Sequence, residues 1–374
     1  MTTFLNIVAV RVAGRGLRVV FERDTVEGEL RVDFDRWFGL RDSEAVPEAI
    51  GSAVASLLAG DEPVTLPRDA RERITPTSLR SIESGGPSTL VEPGAALWLH
   101  FDGSLEAIAT AVLLRVSRVP FGLFHVVPVG GGGWWGQWAA EQRSCWKRAA
   151  EQFGPAVVEI RTNILGTVDP PGWPNHATPS ALASWLITDC GGGVVLQSRA
   201  PSDSKAVRLL RAQKVAVLGG APGLSEIVQM RIATSAGFTP ITSGDYDPLR
   251  MAYLRDAFDM PAGDAVEGSL WQAFDTKGCL KDPETWAYIA AHSARFRRGS
   301  GGSGAEDRIR ELVAGLPLEH LDAFDPSCLG WGPTGERALQ ALSEGVERVG
   351  IEIAQAKHLR YREQFETVMA RRAT

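Results

Sequence analysis

The chain is predicted to be α/β, a mostly parallel doubly wound sheet with a small N-terminal α+β unit and a C-terminal helical cap, and three features of the sequence predict it. Short apolar runs alternate with helix-period stretches from about Ala95 to Phe296. The residues before them carry β-branched runs split by turn residues, and the residues after them read as helical.

Within Phe4–Asp33, the runs Leu5–Val12, Leu17–Phe21 and Leu30–Asp33 predict antiparallel strands, separated by Gly14-Arg15-Gly16 and Thr25–Glu29. A helix is predicted over Ser43–Leu58, where Val46, Ile50, Val54, Leu57 and Leu58 share one face and Gly60-Asp61 stops it. Glu62–Gly94 is dense in Pro, Gly, Ser, Thr and Arg and reads as a surface connector. The division that follows is an accessory unit with its connector over residues 1–90, an α/β domain over 91–298, and a flexible loop with helices over 299–374.

In the central region the predicted strands are Ala96–Phe101, Gly122–Val127, Ala156–Ile160, Gly193–Gln197 and Phe238–Thr242. Helices fill the gaps. Leu105, Ile108, Ala109, Val112 and Val116 recur at helical spacing, as do Trp138, Cys145, Trp146, Ala149 and Phe153 in a helix over Ala139–Phe153, and Leu182, Trp185 and Leu186 mark another. Gly299–Gly304 is a Gly/Ser run, either a flexible loop or an engineered replacement for one. Beyond it Asp307–Leu316 and Gly335–Ala370 are predicted helices.

At 374 residues, 44% hydrophobic and 22% charged, the chain has the composition of an ordinary globular protein. A net charge of −6 gives no global attraction to nucleic acid or to anionic lipid. No apolar run is long enough to span a bilayer and the N-terminus has no secretory pattern, so the expected location is cytoplasmic. The four cysteines, Cys145, Cys190, Cys279 and Cys328, form no C-x-x-C pair, and no zinc is expected.

The stretch with most chemical content is Ala95–Ala109, a buried strand, a polar turn and the start of a helix. Such a turn offers backbone N–H groups at the positive end of a helix, where an anion docks. Neither the Walker pattern nor the three-glycine dinucleotide fingerprint is present. The glycine run Gly130–Gly133 before Trp134, Trp135 and Trp138 reads either as a lid that stacks an indole on a planar base or as a surface loop whose tryptophans belong in part to the core. His100 and His125, one on each of the first two central strands, read either as acid–base groups or as satisfied core histidines. Arg295-Phe296-Arg297-Arg298 reads equally as a polynucleotide contact or a solvated helix end.

Asp102-Gly103-Ser104-Leu105-Glu106-Ala107 occupies the strand-to-helix slot that holds Ser-Gly-Gly-x-Asp-Ser in the PP-loop ATP pyrophosphatases, keeping the glycine and an acid at Glu106. Trp135-Gly136-Gln137-Trp138, the following helix and Gly154–Val158 resemble the Tyr-Gly-Gln segment, helix and strand of the 7-cyano-7-deazaguanine synthases, as Phe238–Ser243 and Asp247-Pro248-Leu249-Arg250 resemble their later strand and Pro-Leu turn. The resemblance covers about Ala95 to Phe296.

That likeness implies ATP and Mg²⁺ as cofactors, with adenylation of a carboxylate followed by displacement of AMP by a nitrogen nucleophile. By the same resemblance Gly103 and Ser104, followed by Leu105, hold pyrophosphate, Glu106 helps hold Mg²⁺, and Trp135 and Gln137 line a pocket for a nucleobase-like ligand; beyond the family pattern, Asp102 is expected as a second catalytic acid at the metal and His125 as a further pocket residue. The chain departs from the family at three places. Its zinc cysteines are reduced to Cys279, the counterpart of its Pro-x-Arg-Asn segment is at best Pro174-Asn175-His176, and Asp102 replaces a neutral serine. A catalytically degenerate relative serving as a subunit or sensor is therefore a second expectation, with a protein partner from the same gene cluster, as for PP-loop proteins found in antiphage clusters. An unrelated doubly wound binding protein is the third. No membrane and no direct nucleic-acid partner is expected.

Overall fold

The computed structural model describes residues 5–13, 16–23, 25–34, 64–65, 96–129, 134–153, 157–163, 193–197, 215–219, 223–238, 283–293, 315–316 and 320–372. The fold is mixed α/β around one mostly parallel sheet. Its strands are β1 (Leu5–Ala13), β2 (Gly16–Arg23), β3 (Val26–Phe34), β4 (Val64–Thr65), β5 (Ala96–His100), β6 (Gly122–Pro128), β7 (Val157–Thr162), β8 (Gly193–Gln197) and β9 (Val215–Gly219). They lie in the order β4-β1-β2-β3-β7-β6-β5-β8-β9.

The first three strands form the antiparallel meander that their alternating pattern predicts, with Arg23 paired to Val26 across a two-residue turn. Thr25 in that turn has φ 71°, a left-handed conformation that is unfavourable for a β-branched residue. One face of the meander buries Val19, Phe21, Leu30 and Val32. The other carries Arg18, Glu29, Arg31 and Asp33, linked by ion pairs from Arg18 to Asp33 at 2.8 Å and from Arg31 to Glu29 at 3.1 Å. These strands do not make a sheet of their own. β3 pairs antiparallel with β7, Val32 opposite Thr162, so the meander extends the parallel sheet. Within the stretch read as a connector, Val64–Thr65 adds a short parallel edge to β1.

β6 and β8 are buried along nearly their whole length, the mark of parallel strands covered on both faces. Gly122 opens β6 because it pairs with Trp98 of β5: a Cβ there would run into the indole ring. β9 is a strand that the sequence reading passed over, and it pairs with β8 from Gly193↔Val215 to Gln197↔Gly219. Phe238 packs just after a helix, and the rest of the strand expected at Phe238–Thr242 lies outside the described residues. So do the helices expected at Ser43–Leu58 and around Leu182–Leu186, and all but Gly315 and Leu316 of the one at Asp307–Leu316.

The helices are α1 (Leu105–Ser117), α2 (Trp134–Phe153), α3 (Glu226–Ser235), α4 (Pro283–Ser293), α5 (Glu336–Arg348) and α6 (Lys357–Arg372). The second begins at Trp134, five residues before the predicted Ala139. The single helix expected over Gly335–Ala370 is two. α5 ends in a Schellman turn, with Gly350 at φ 77° donating to the Glu347 carbonyl and Ile351 donating to that of Val346. Helical periodicity continues across the break, which is why periodicity alone missed it. No described helix is long and apolar enough to cross a membrane.

Contacts divide the chain into two compact units. The first is Met1–Gly103, Val119–Gly220 and Trp331–Ala338, and it contains the whole sheet with α2. The second is Ser104–Arg118, Ala221–Gly330 and Leu339–Thr374, a helical assembly in which α1 packs on α3 and α4 packs on α3 and α6. α1 is buried on more than one side, through Leu105, Ile108, Ala109, Leu113 and Leu114 among others. Gly345 of α5 lets that helix approach the Leu113 carbonyl, and Arg348 donates to the Val116 carbonyl at 2.9 Å, closing the negative end of α1.

Candidate functional site

Parallel strands point their carboxyl ends to one edge of a sheet, and ligands gather there where the strand order reverses. Here the chain runs from β5 outward to β6 and β7 on one side, while β8 and β9 lie on the other. The reversal falls between β5 and β8. The residues that follow β5 are Phe101, Asp102 and Gly103, so the sequence-predicted turn stands at the carboxyl end of the central strand beside the reversal.

Three local features shape this turn. Gly103 is buried and has φ 78°, a conformation open to glycine at little cost. Ser104 caps α1, its Oγ accepting from the Ala107 N–H at 3.2 Å while its carbonyl takes the Ile108 N–H. Leu105 is buried and Glu106 is half-buried in the first helical turn, where a carboxylate faces the positive helix end. The sequence therefore places Asp102 and Glu106, both half-buried, four residues apart around a glycine and a helix start.

The backbone before the turn is pinned from two sides. Phe101 donates to the Phe124 carbonyl at 2.8 Å, continuing the β5–β6 ladder by one residue. His125 of β6 holds the Phe101 carbonyl through Nδ1 at 2.9 Å, a partner that requires the proton on that nitrogen. The His125 ring stacks on Trp146 of α2 at 4.9 Å and is 2% exposed. Burial lowers its pKa to about 4, with the Phe101 bond opposing that shift and the neighbouring His100 adding to it. It is neutral at ordinary pH. Gln142 of α2 donates through Nε2 to the Asp102 carbonyl at 2.7 Å.

Of the residues expected to line a base pocket, His125 lies in the packing between β6 and α2. Trp135 and Gln137 lie on the first turn of α2, and their side chains are outside the described residues. The Gly130–Gly133 run and Pro174-Asn175-His176 are also outside them, as are Cys190 and Cys279. Cys145 is buried and Cys328 is exposed, both as free thiols. Among the described residues no three His, Cys, Asp or Glu side chains gather as a metal would need.

Gln142, which holds the turn, and Trp331, whose indole N–H bonds the Gly219 carbonyl at the end of β9, were not read from the sequence. Gln142 sits within an amphipathic helix, where nothing marks a buried amide. Trp331 lies in Gly330-Trp331-Gly332, whose flanking glycines were the only available signal. No family profile, no curated protein and no solved structure matches this chain.

Proposed function

We propose that the Asp102–Glu106 turn binds the phosphates of ATP in a doubly wound sheet of the PP-loop kind. The observation that carries this reading is Gly103, buried at φ 78° between the carboxyl end of β5 and the cap of α1. A turn of this form presents backbone N–H groups at the positive end of α1, where an anion docks. The donor set also suits the cation. Mg²⁺ prefers hard oxygen ligands, takes one or two carboxylates and completes its shell with phosphate and water, and Asp102 and Glu106 supply such carboxylates.

In this reading Gly103, Ser104 and Leu105 hold the pyrophosphate end through backbone N–H groups, and Asp102 and Glu106 hold the cation that offsets phosphate charge. The activity is adenylation of a carboxylate in a deazaguanine-like or other substrate, with an amide- or nitrile-type product. The proposed setting is the cytoplasm, with a protein partner. A degenerate sensor or subunit is the second reading, and the half-buried Asp102 favours it, since a carboxylate repels phosphate in a poorly screened cleft.

Calorimetry of Mg-ATP binding to wild type, Asp102→Ser and Gly103→Val tests both. For the enzyme, Gly103→Val abolishes binding, because a β-branched side chain at φ 78° is strained and blocks approach, while Asp102→Ser lowers turnover. For the degenerate relative, Asp102→Ser strengthens binding. Identical behaviour of the three proteins refutes the turn as a nucleotide site.

A further inference from the structure

We propose that Trp331 is the aromatic wall against which the base of the bound nucleotide stacks, an inference that rests on the phosphate reading of the Asp102–Glu106 turn. Trp331 belongs to the same compact unit as the sheet, although it lies more than a hundred residues beyond β9 in sequence. Its Nε1–H donates to the carbonyl of Gly219 at 3.2 Å. Gly219 is the last residue of β9 and pairs with Gln197, the last residue of β8. The indole is therefore fixed at the carboxyl edge of the sheet, on the β9 side of the reversal.

The chain around Trp331 is shaped to hold the ring there. Gly330 and Gly332 have φ of 58° and 60°, and a Cβ at either would meet nothing within 4 Å. Their absence of side chain serves conformation and not close packing: Gly330 closes the 3-10 turn Pro326–Leu329 and Gly332 opens the one at Pro333–Gly335, which leaves Trp331 between the two. Gly335 folds back against the root of the ring, where a Cβ would lie 3.1 Å from Trp331 Cγ and 3.1 Å from Leu218 Cδ1. Trp331 nevertheless stays half-exposed. An indole whose N–H is tied down and whose root is packed, in a residue that is not fully buried, is a fixed ring with no further polar group to satisfy.

Its position suits one part of a nucleotide. β9 is two strand spacings from β5, about 10 Å along the carboxyl edge. Phosphates at Asp102–Glu106 leave the base to extend along that edge, and a planar ring is the part that an indole recognises without hydrogen bonds. The Gln197 end of β8 lies between the two points.

The test compares wild type, Trp331→Phe and Trp331→Ala by calorimetry with two probes, Mg-ATP and Mg-tripolyphosphate, the second having no base. Trp331→Ala is expected to weaken ATP about tenfold or more, Trp331→Phe less than threefold, and tripolyphosphate is expected to bind all three alike. Unchanged ATP affinity in Trp331→Ala overturns the stacking role and leaves the phosphate reading standing. Equal loss for both probes also overturns it, since that marks a tether of the β9 end only. If wild type binds neither probe, the phosphate reading and the stacking role fall together. Photolabelling of wild type with 8-azido-ATP gives a readout independent of how well Trp331→Ala folds: label in the peptide holding Trp331 supports the role, and label confined to other peptides refutes it.

Discussion

Gln142 Nε2 donates to the Asp102 carbonyl at 2.7 Å, while Oε1 of the same amide is buried without a hydrogen-bond partner among the described residues. One half of the amide anchors the turn and the other is desolvated for nothing visible in return, a penalty of about 1–3 kcal/mol. Gln142→Leu removes both the anchor and the penalty. Its melting temperature is expected to stay within a few degrees of wild type, while tripolyphosphate affinity falls as the Asp102 backbone loosens. A fall in stability with unchanged affinity would show that Gln142 serves packing alone.

His125 makes stability depend on pH. Its folded pKa of about 4 lies below its unfolded value of 6.5, so the unfolded chain binds more protons between those limits. The neutral ring's contribution is complete above pH 6.5 and is lost progressively as pH falls toward 4, up to about 3 kcal/mol. The urea midpoint of wild type is expected to fall as pH is lowered through this window. His125→Phe, which keeps a ring against Trp146, should flatten that part of the profile, and an unchanged profile would contradict the assignment.

Asp325 sits at the other extreme of charge. It is 1% exposed, and its carboxylate accepts from Ser327 Oγ at 2.5 Å, Ser327 N at 3.0 Å, Ala356 N at 3.1 Å and His358 N at 2.9 Å. Burial pushes its pKa up, but these bonds outweigh it and hold the group below 3.8. The carboxylate thus closes the start of α6 from a segment about thirty residues earlier. Its contribution is present above pH 3.8 and is lost as pH falls through the lowered value. Asp325→Asn keeps one acceptor and loses the other, and it is expected to cost about 2–3 kcal/mol at neutral pH. Hydrogen exchange in α6 should rise with it, and protection equal to wild type would refute this linkage.

Thr25 carries local strain that glycine would relieve. With φ 71° in the two-residue turn joining β2 and β3, Thr25→Gly should stabilise the protein by about 1 kcal/mol, read as a higher urea midpoint at constant slope. A lower midpoint would show that unfolded-chain entropy dominates.

Sequence made the strands legible where two patterns coincided. β5, β6 and β8 are apolar runs bounded by turn residues, and the turn at Asp102–Glu106 was marked by a polar break with a glycine between the apolar run and the helical spacing that follows. β9 was missed because five apolar residues fit a buried helix segment as well as a strand. The partners of the turn were hidden for another reason. His125 and Gln142 reach it through the fold, from 24 and 40 residues away, and neither periodicity nor spacing encodes such contacts. Asp325 was not singled out in the sequence, because its bonds to Ala356 and His358 depend on where α6 arrives.

Joining β3 to β7 has a consequence for the order of synthesis. The hairpins β1–β2 and β2–β3 close locally and can form as soon as they leave the ribosome, but the next neighbour of β3 arrives far later: Arg31 and Asn163, which bond across that seam, are 132 residues apart. Until then the β3 edge stands open in a growing chain, a template for pairing with a second nascent copy. Long-range pairing of this kind slows folding and prolongs exposure. The charged row of Arg18, Glu29, Arg31 and Asp33 beside the open edge thus acquires a role during birth of the protein, keeping the waiting meander in solution until β7 is made.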